Sequence, residues 1–528
     1  MDRWDRFLSH TMDLYWILKK VSSTGILVDV PQRNKFKEKL SSELIIKNKE
    51  LNELIPEELL EHREYARTPK ELKCRDCKGR GHLKKGDLKF NKENKNDKCR
   101  NCKGTGAKIG SGTKSDSRVR RIPRQTELLS GYAQGGDGHY YVRSVEDKGK
   151  FNWGFRWTFS AKSTQQVQKY LRHKGYPVPR HLTTGKITTG QRELEALYKE
   201  VEDPVLKKIL EVRSISDLLA KYADNIWWEP VEDGRIHPRF NFNPSTGRLA
   251  SEKPNIQNPI KRGEWGKEFR NQFIASPGMI LVGIDFNAIE AVLTGWFAKD
   301  ENFISASKLS IHAILSSFYL QKLGKWDEPI SLDWNEAKLK EKIRHIKKHY
   351  PNEYSKSKSI VYLSLYGGGA KMIFNQSPGV FNSISECTQL QNMFFETLAI
   401  KIKKWQRDTL DLAHRQCYLE NPFGHRHYFW DVLQHNGRYG SQAKDALAEL
   451  PQSTAASIYK DVMVRLRPEL VNYLRAPIHD ELLFELPINE KDDLIDEIKS
   501  EMEKPIPELD GLTIEVESSV GERWGEMD

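Results

Sequence analysis

Long apolar runs are missing from this chain. No stretch among its 528 residues approaches the about 18 consecutive apolar residues that span a bilayer, so no transmembrane helix is expected. A secretory leader is missing too: the opening residues, MDRWDRFLSHTMDLYW, are charged and aromatic where a leader carries a short apolar core. Cysteine is scarce. Six in this length do not build a disulfide scaffold, which points to a reducing, cytoplasmic setting. No fixed-period repeat runs through the chain, so a repeat array is not expected. Acidic residues are thin in one place. Between Glu64 and Arg124, twenty Lys and Arg stand against seven Asp and Glu, a surplus of 13 that exceeds the +11 of the whole chain. The basic character therefore belongs to one segment, which reads as an ordered module facing a polyanion.

What is present is enough for real cores: 38% hydrophobic residues with 10% aromatics. The length predicts roughly two to four domains or one multi-lobed enzyme. Residues 12–30 read as a helix, a turn at Gly25 and a strand-like run. After Pro31, Phe36, Leu40, Leu44, Leu51 and Ile55 follow at helical spacing and predict a long amphipathic helix that stops near Pro56. A Gly-rich patch, GYAQGGDGHYY, comes after the basic segment, and helical order returns near Ser163. From about residue 205 helical and strand patterns alternate, the mark of an α+β chain.

The basic segment holds a doubled motif, CRDCKGRG at 74–81 and CRNCKGTG at 99–106. Two C-x-x-C knuckles separated by 21 residues supply four thiolates, Cys74, Cys77, Cys99 and Cys102, for one structural tetrahedral zinc. The glycines suit the sharp turns that follow such knuckles. The motif resembles the zinc repeats of DnaJ-type chaperones, but no HPD accompanies it, so only the metal carries over.

Two acidic positions stand where strands end. In GMILVGIDFNAIEAVLTGWFAKD (278–300), Asp285 closes an apolar strand and a helical pattern follows. In LRAPIHDELLFEL (474–486), His479, Asp480 and Glu481 form a polar knot between two strand-like runs. Taken alone, the first is a helix cap and the second a solvated turn. Together they are two carboxylates able to share a metal. NPSTGRLASEKPNIQNP (243–259), KSIVYLSLYGGG (358–369) and LPQSTAASI (450–458) complete an ordered set of five stretches. VSSTGILVDV near the start and ESSVGERWGEM at the end extend it.

This set resembles the polymerase domain of family A DNA polymerases, the bacterial polymerase I and phage T7 group. The resemblance implies a right-hand fold with palm, fingers and thumb. It divides the chain into an N-terminal segment and first part of the thumb (1–63), the zinc insertion (64–124), the second part of the thumb (125–204), palm (205–292), fingers (293–440) and palm again (441–528). It makes Asp285 and Asp480 the holders of two Mg²⁺ ions, with the Phe286 carbonyl as a further ligand, and Lys358 the neutraliser of the triphosphate. It puts Glu290, His312, Tyr362, Tyr366 and Gly367 at the nucleotide. It puts Arg248, Gln452, Lys444, His479 and Glu481 at the DNA. Two positions depart from the family: Tyr354 and Ala448 stand where an arginine and an asparagine are usual. Lys356, Lys347, Lys348 and His349 are the nearby candidates to replace that arginine.

The implied activity is DNA-templated DNA synthesis from a primer 3′-hydroxyl, in phage or plasmid replication, with primer–template DNA and deoxynucleoside triphosphates as partners. Only about 12 residues precede MDLYWIL, so no proofreading domain is expected here; the exonuclease is either a separate chain or absent, and a separate exonuclease or processivity partner is one of the open alternatives. The zinc insertion would clamp DNA through its phosphates or dock that partner. The alternative is a zinc-dependent nucleic-acid-binding or chaperone-like protein with a non-catalytic polymerase-like lobe.

Overall fold

The computed structural model describes residues 3–59, 62–65, 119–120, 132–134, 140–146, 150–156, 159–181, 184–242, 246–260, 263–377, 379–434 and 438–527. Two compact units result, Met1–Lys39 with Leu219–Asp528, and Leu40–Leu218. Cys74, Cys77, Cys99 and Cys102 lie outside the described residues, and with them the predicted zinc site.

The chain opens with helix α1 (Arg3–Thr24), strand β1 (Ile26–Val28) and helix α2 (Val30–Leu54), close to the pattern-based expectation. Gly25 makes the first turn at φ +67°, where a Cβ would collide with the Ile236 carbonyl. Leu14, Leu18 and Val21 fall on one face of α1 and are buried. β1 is the central strand of a three-stranded antiparallel sheet with β2 (Arg235–Ile236) and β3 (Phe273–Ile274).

The second unit contains a five-stranded antiparallel sheet that the sequence pattern did not announce, its strands drawn from His62–Tyr65, Val119–Arg120, Tyr132–Gln134, Tyr140–Glu146 and Lys150–Arg156. Helices Thr164–His173, Gln191–Val201 and Pro204–Leu218 follow. The last buries Leu206 and Ile209 with Leu51, Val167 and Leu194 in this unit's core. This helix lies within the second unit, Leu40–Leu218. Asp203 caps that helix, accepting from the N–H groups of Val205 and Leu206 and from the Tyr170 and Tyr176 hydroxyls.

Returning to the first unit, strand β4 (Met279–Phe286) leads into helix α3 (Ile289–Ala298). Helices α4 (Ile311–Lys322), α5 (Glu336–His349), α6 (Pro351–Leu365) and α7 (Ile384–Thr397) come next. They share one core, in which Leu315, Ile346, Ile360 and Phe394 are wholly buried. Full burial of such side chains contributes about 1.5–3 kcal/mol each. Pro351 separates α5 from α6: the residue before a proline leaves the helical region, and proline suits a helix's first turn. No single helix among the described residues is long and apolar enough to cross a membrane.

A short hairpin, β5 (Tyr418–Glu420) and β6 (Arg426–Tyr428), precedes the long helix α8 (Ala443–Arg465), most of which is buried. Strands β7 (Leu474–Ile478), β8 (Glu481–Pro487) and β9 (Val516–Gly521) then close an antiparallel sheet in the order β7-β8-β4-β9. The polar knot is thus shorter than the sequence implies: Glu481 is the first residue of β8, and only His479 and Asp480 turn.

One charge pair is buried in this sheet. Glu485 accepts from Arg475 Nε and from the Ser276 N–H, each at 2.5 Å. Burial opposes the Glu485 charge, yet these bonds and the Arg475 charge hold its carboxyl below the usual range. Its contribution to stability is complete above the usual carboxylate range and is lost as pH falls through that lowered pKa. Glu485→Ala is expected to cost about 3–5 kcal/mol, because it strands a buried guanidinium. Urea unfolding at neutral pH measures it; a loss below about 1 kcal/mol would show that the pair is not anchoring the sheet.

Candidate active site

β4 is hydrogen-bonded on both sides, so its C-terminal end is held rigidly. The register sets Asp285 opposite Glu481 on β8 and Glu517 on β9. The His479–Asp480 turn between β7 and β8 therefore reaches the same end of the sheet. His479 takes the left-handed conformation, φ +57°. The Phe286 N–H donates to the Asp480 carbonyl at 3.3 Å, tying turn to strand end. Asp285 and Asp480 thus meet at one tip. Glu481 lies beside them, its side chain folded over Gly283, where a Cβ would collide with it.

α3 begins three residues after Phe286 and carries Glu290 in its first turn. One Glu290 oxygen pairs with Arg248 and the other accepts from the Tyr366 hydroxyl. Gln452 of α8 also bonds Tyr366. Burial pushes the Asp480 carboxyl above its ordinary range and the Glu290 charge adds to this, while His479 and Arg248 act the other way. Burial, then the Glu290 charge, holds the Tyr366 phenol well above its usual range.

α6 supplies the facing wall. Positions 354, 358, 362 and 366 recur every four residues along it, with Tyr366 just past its end. Burial raises the Tyr362 phenol pKa, followed by the charges of Glu290, Asp480 and Asp285. His312 of α4 packs against Tyr362 at 5.1 Å and Tyr354 at 5.9 Å. Burial first, then Lys358 and Lys347, lowers the His312 pKa to about 4, so the imidazole is neutral at pH 7. Lys358 Nζ stands 5.9 Å from the Tyr362 ring.

Two further predicted residues make other contacts. Lys444 begins α8 and lies against the Met372 sulfur. Gly367 makes the turn that ends α6, at φ +72°, where a Cβ would press on Leu447. Lys356 is excluded as a stand-in for the usual arginine, since it is paired with Glu386 inside the helical lobe. Sequence reasoning missed three supports. The Tyr459 hydroxyl donates to the Glu481 carbonyl at 2.5 Å from beneath the tip. Buried Glu449 lies 2.7 Å from His427 and 3.6 Å from His425. The His425 ring covers Gly247, next to Arg248. Nothing in a buried helix pattern separates Tyr459 or Glu449 from core, although the HRH run in the hairpin was a visible signal for the latter.

Among the described residues no group of three or more His, Cys, Asp and Glu side chains is arranged to hold a metal by itself. The donors at the tip, two carboxylates and the Phe286 carbonyl, are all hard oxygens. That set fits Mg²⁺, which keeps waters and takes the rest of its shell from a bound substrate.

The family model of DNA polymerase family A matches residues 145–526. The thermostable DNA polymerase I of Thermus filiformis is 30% identical over 376 residues, covering 69% of this chain and 42% of its own. The Thermus aquaticus enzyme is 28% identical over 381 residues, with the same 69% and 42% coverage. The chain thus spans less than half the length of these curated relatives. A solved structure of the POL domain of Pol1 from M. smegmatis, in complex with DNA primer-template and dNTP, aligns with a TM-score of 0.65 at 18% identity, covering 98% of this chain and 70% of that one. At that identity the likeness shows the fold.

The crowding of acids has a measurable consequence. Glu290→Gln removes a negative charge beside Asp480, so the Asp480 carboxyl should titrate at lower pH. A carbon-detected carboxyl NMR titration of both proteins checks this, and an unmoved Asp480 curve would exclude the coupling.

Proposed function

The chain belongs to DNA polymerase family A, and we propose that it extends a primer 3′-hydroxyl on a DNA template by nucleotidyl transfer. The observation that carries the proposal is the register that brings Asp285 and Asp480 to one rigid tip facing α6. Two Mg²⁺ ions held by Asp285, Asp480 and the Phe286 carbonyl would activate the hydroxyl and stabilise the leaving pyrophosphate. The chain's own residues position the reactants. Lys358 neutralises triphosphate charge, and His312, neutral at this pH, offers a hydrogen bond to the same group. Tyr362 and Tyr366 receive the incoming sugar and base at the end of α6. Glu290 packs against the sugar and excludes a 2′-hydroxyl. Arg248 and Gln452 read minor-groove acceptors shared by every correct base pair, a test of shape rather than sequence. His479 and Glu481 flank the primer terminus. Gly367 gives α6 its closing turn beside the nucleotide. Lys444 contacts DNA from the start of α8.

The basic segment belongs to the same proposal. Strands His62–Tyr65 and Val119–Arg120 are paired, so the two ends of the intervening stretch meet on one sheet. A four-cysteine zinc module closed in this way would present its positive charge to DNA phosphates or to a partner protein. Service to a phage or plasmid genome rests on the sequence resemblance alone. A non-catalytic lobe is disfavoured by the joint retention of Asp285, Asp480 and Lys358.

Primer extension with Mg²⁺ tests the activity. Asp285→Ala or Asp480→Ala should lower it by about a thousandfold or more while circular dichroism and primer–template binding persist. Incorporation within about tenfold of wild type in either variant would sink the assignment. Elemental analysis tests the module: one zinc per chain is expected, lost in the Cys99→Ser, Cys102→Ser double variant, and a zinc-free wild type would reject it.

A further inference from the structure

Helix α5 is strongly basic, and its last turn carries Lys347, Lys348 and His349. The lysines around it are largely taken. Lys340 pairs with Glu336, Lys342 with Glu341, Lys325 with Glu353, and Lys356 with Glu386. Lys338 lies over the Trp334 ring at 3.5 Å. Lys347 differs. It is exposed, forms no ion pair among the described residues, and holds its Nζ 5.9 Å from the Tyr354 ring.

We propose that Lys347 is a phosphate-contacting residue of the nucleotide site, gripping the outer end of the substrate's triphosphate from helix α5. The inference rests on the polymerase reading and adds a residue to its substrate site. Its first support is position. Ile346 is wholly buried and anchors the last turn of α5, and the Pro351 break sets that turn against the start of α6. Lys347 thereby reaches the Tyr354 end of the α6 wall. Its second support is convergence. Lys347 lies 5.9 Å from the Tyr354 ring and Lys358 5.9 Å from the Tyr362 ring, from different helices, and both rings pack against His312.

Charge is sorted along this wall. The charges of Glu290, Asp480 and Asp285 act on the Tyr362 phenol, whereas those of Lys358 and Lys347 act on the His312 imidazole. A ligand whose reacting end belongs with the carboxylates and whose tail is a polyanion matches both ends. Both cations would attract the negative charge of a triphosphate. Lysine serves here as a point charge on a flexible stem, suited to the terminal phosphate rather than to bidentate recognition.

The experiment measures binding of dNTP and of the matching dNDP to the full chain on a primer ended by a dideoxynucleotide. In Lys347→Ala the dNTP Kd should rise roughly tenfold while the dNDP Kd stays level, so the preference for the third phosphate shrinks. Lys347→Arg should restore most of it, and Lys348→Ala should leave both constants unchanged. On an extendable primer, Lys347→Ala should raise KM with kcat within about twofold. Unchanged dNTP affinity, or an equal loss for dNTP and dNDP, overturns the proposal. A wild type that binds dNTP but extends no primer refutes the polymerase reading while the phosphate comparison stands. A wild type that binds no dNTP overturns both.

Discussion

The constraint on which the rest depends is the register of β4 against β8. Side chains alternate across a sheet, so a slip of one residue would turn Asp285 to the opposite face. The slip is blocked by packing: Val282 and Ile284 of β4, and Leu482 and Phe484 of β8, are fully buried. The Arg475–Glu485 pair locks the two strands of the hairpin to each other at the far end. At the near end, the backbone bond from Phe286 to Asp480 ties β4 to the turn of that hairpin. Two acids distant in sequence are thus delivered to one place by hydrophobic burial acting through strand pairing.

Holding them there costs electrostatic free energy. Asp480 is half-buried and close enough to Glu290 for its carboxyl to be pushed up. The chain offsets part of this locally, with Arg248 on Glu290 and His479 beside Asp480. On the function proposed above, the remainder is what would draw divalent cations to the tip. Across α6 the imbalance has the opposite sign, with Lys358 and Lys347 about a neutral His312. Anionic and cationic groups thus share one cleft, an arrangement that would orient a charged substrate on the function proposed above.

Much of this was legible without coordinates, for physical reasons. Gly25 and Pro31 bracket elements whose burial pattern is local, so α1, β1 and α2 follow from spacing alone. Asp285 and Asp480 stand out only as a pair within five ordered motifs, since each alone reads as a helix cap or a turn. Other features were not legible. The strands between His62 and Arg156 are short and interrupted by glycine and basic residues, so no period announced them. The helix Pro204–Leu218 has an apolar face that reads equally well in either unit, and only its partners Leu51 and Leu194 decide.

The sequence by itself determined the chemical inventory: two carboxylates, a helix with a residue of interest every fourth position, and a doubled thiolate motif. Its motifs also determined the order in which these occur, and with it the family. Tertiary structure alone decided which of several equivalent lysines is available. Lys356 and Lys347 are both candidates by position, yet Lys356 is spent on Glu386 while Lys347 is turned toward Tyr354. It also decided that Tyr459 and Glu449 brace the site from below. Ion pairs and hydrogen bonds between residues far apart in sequence exist only once packing has set their distances, and no local pattern encodes a distance between helices.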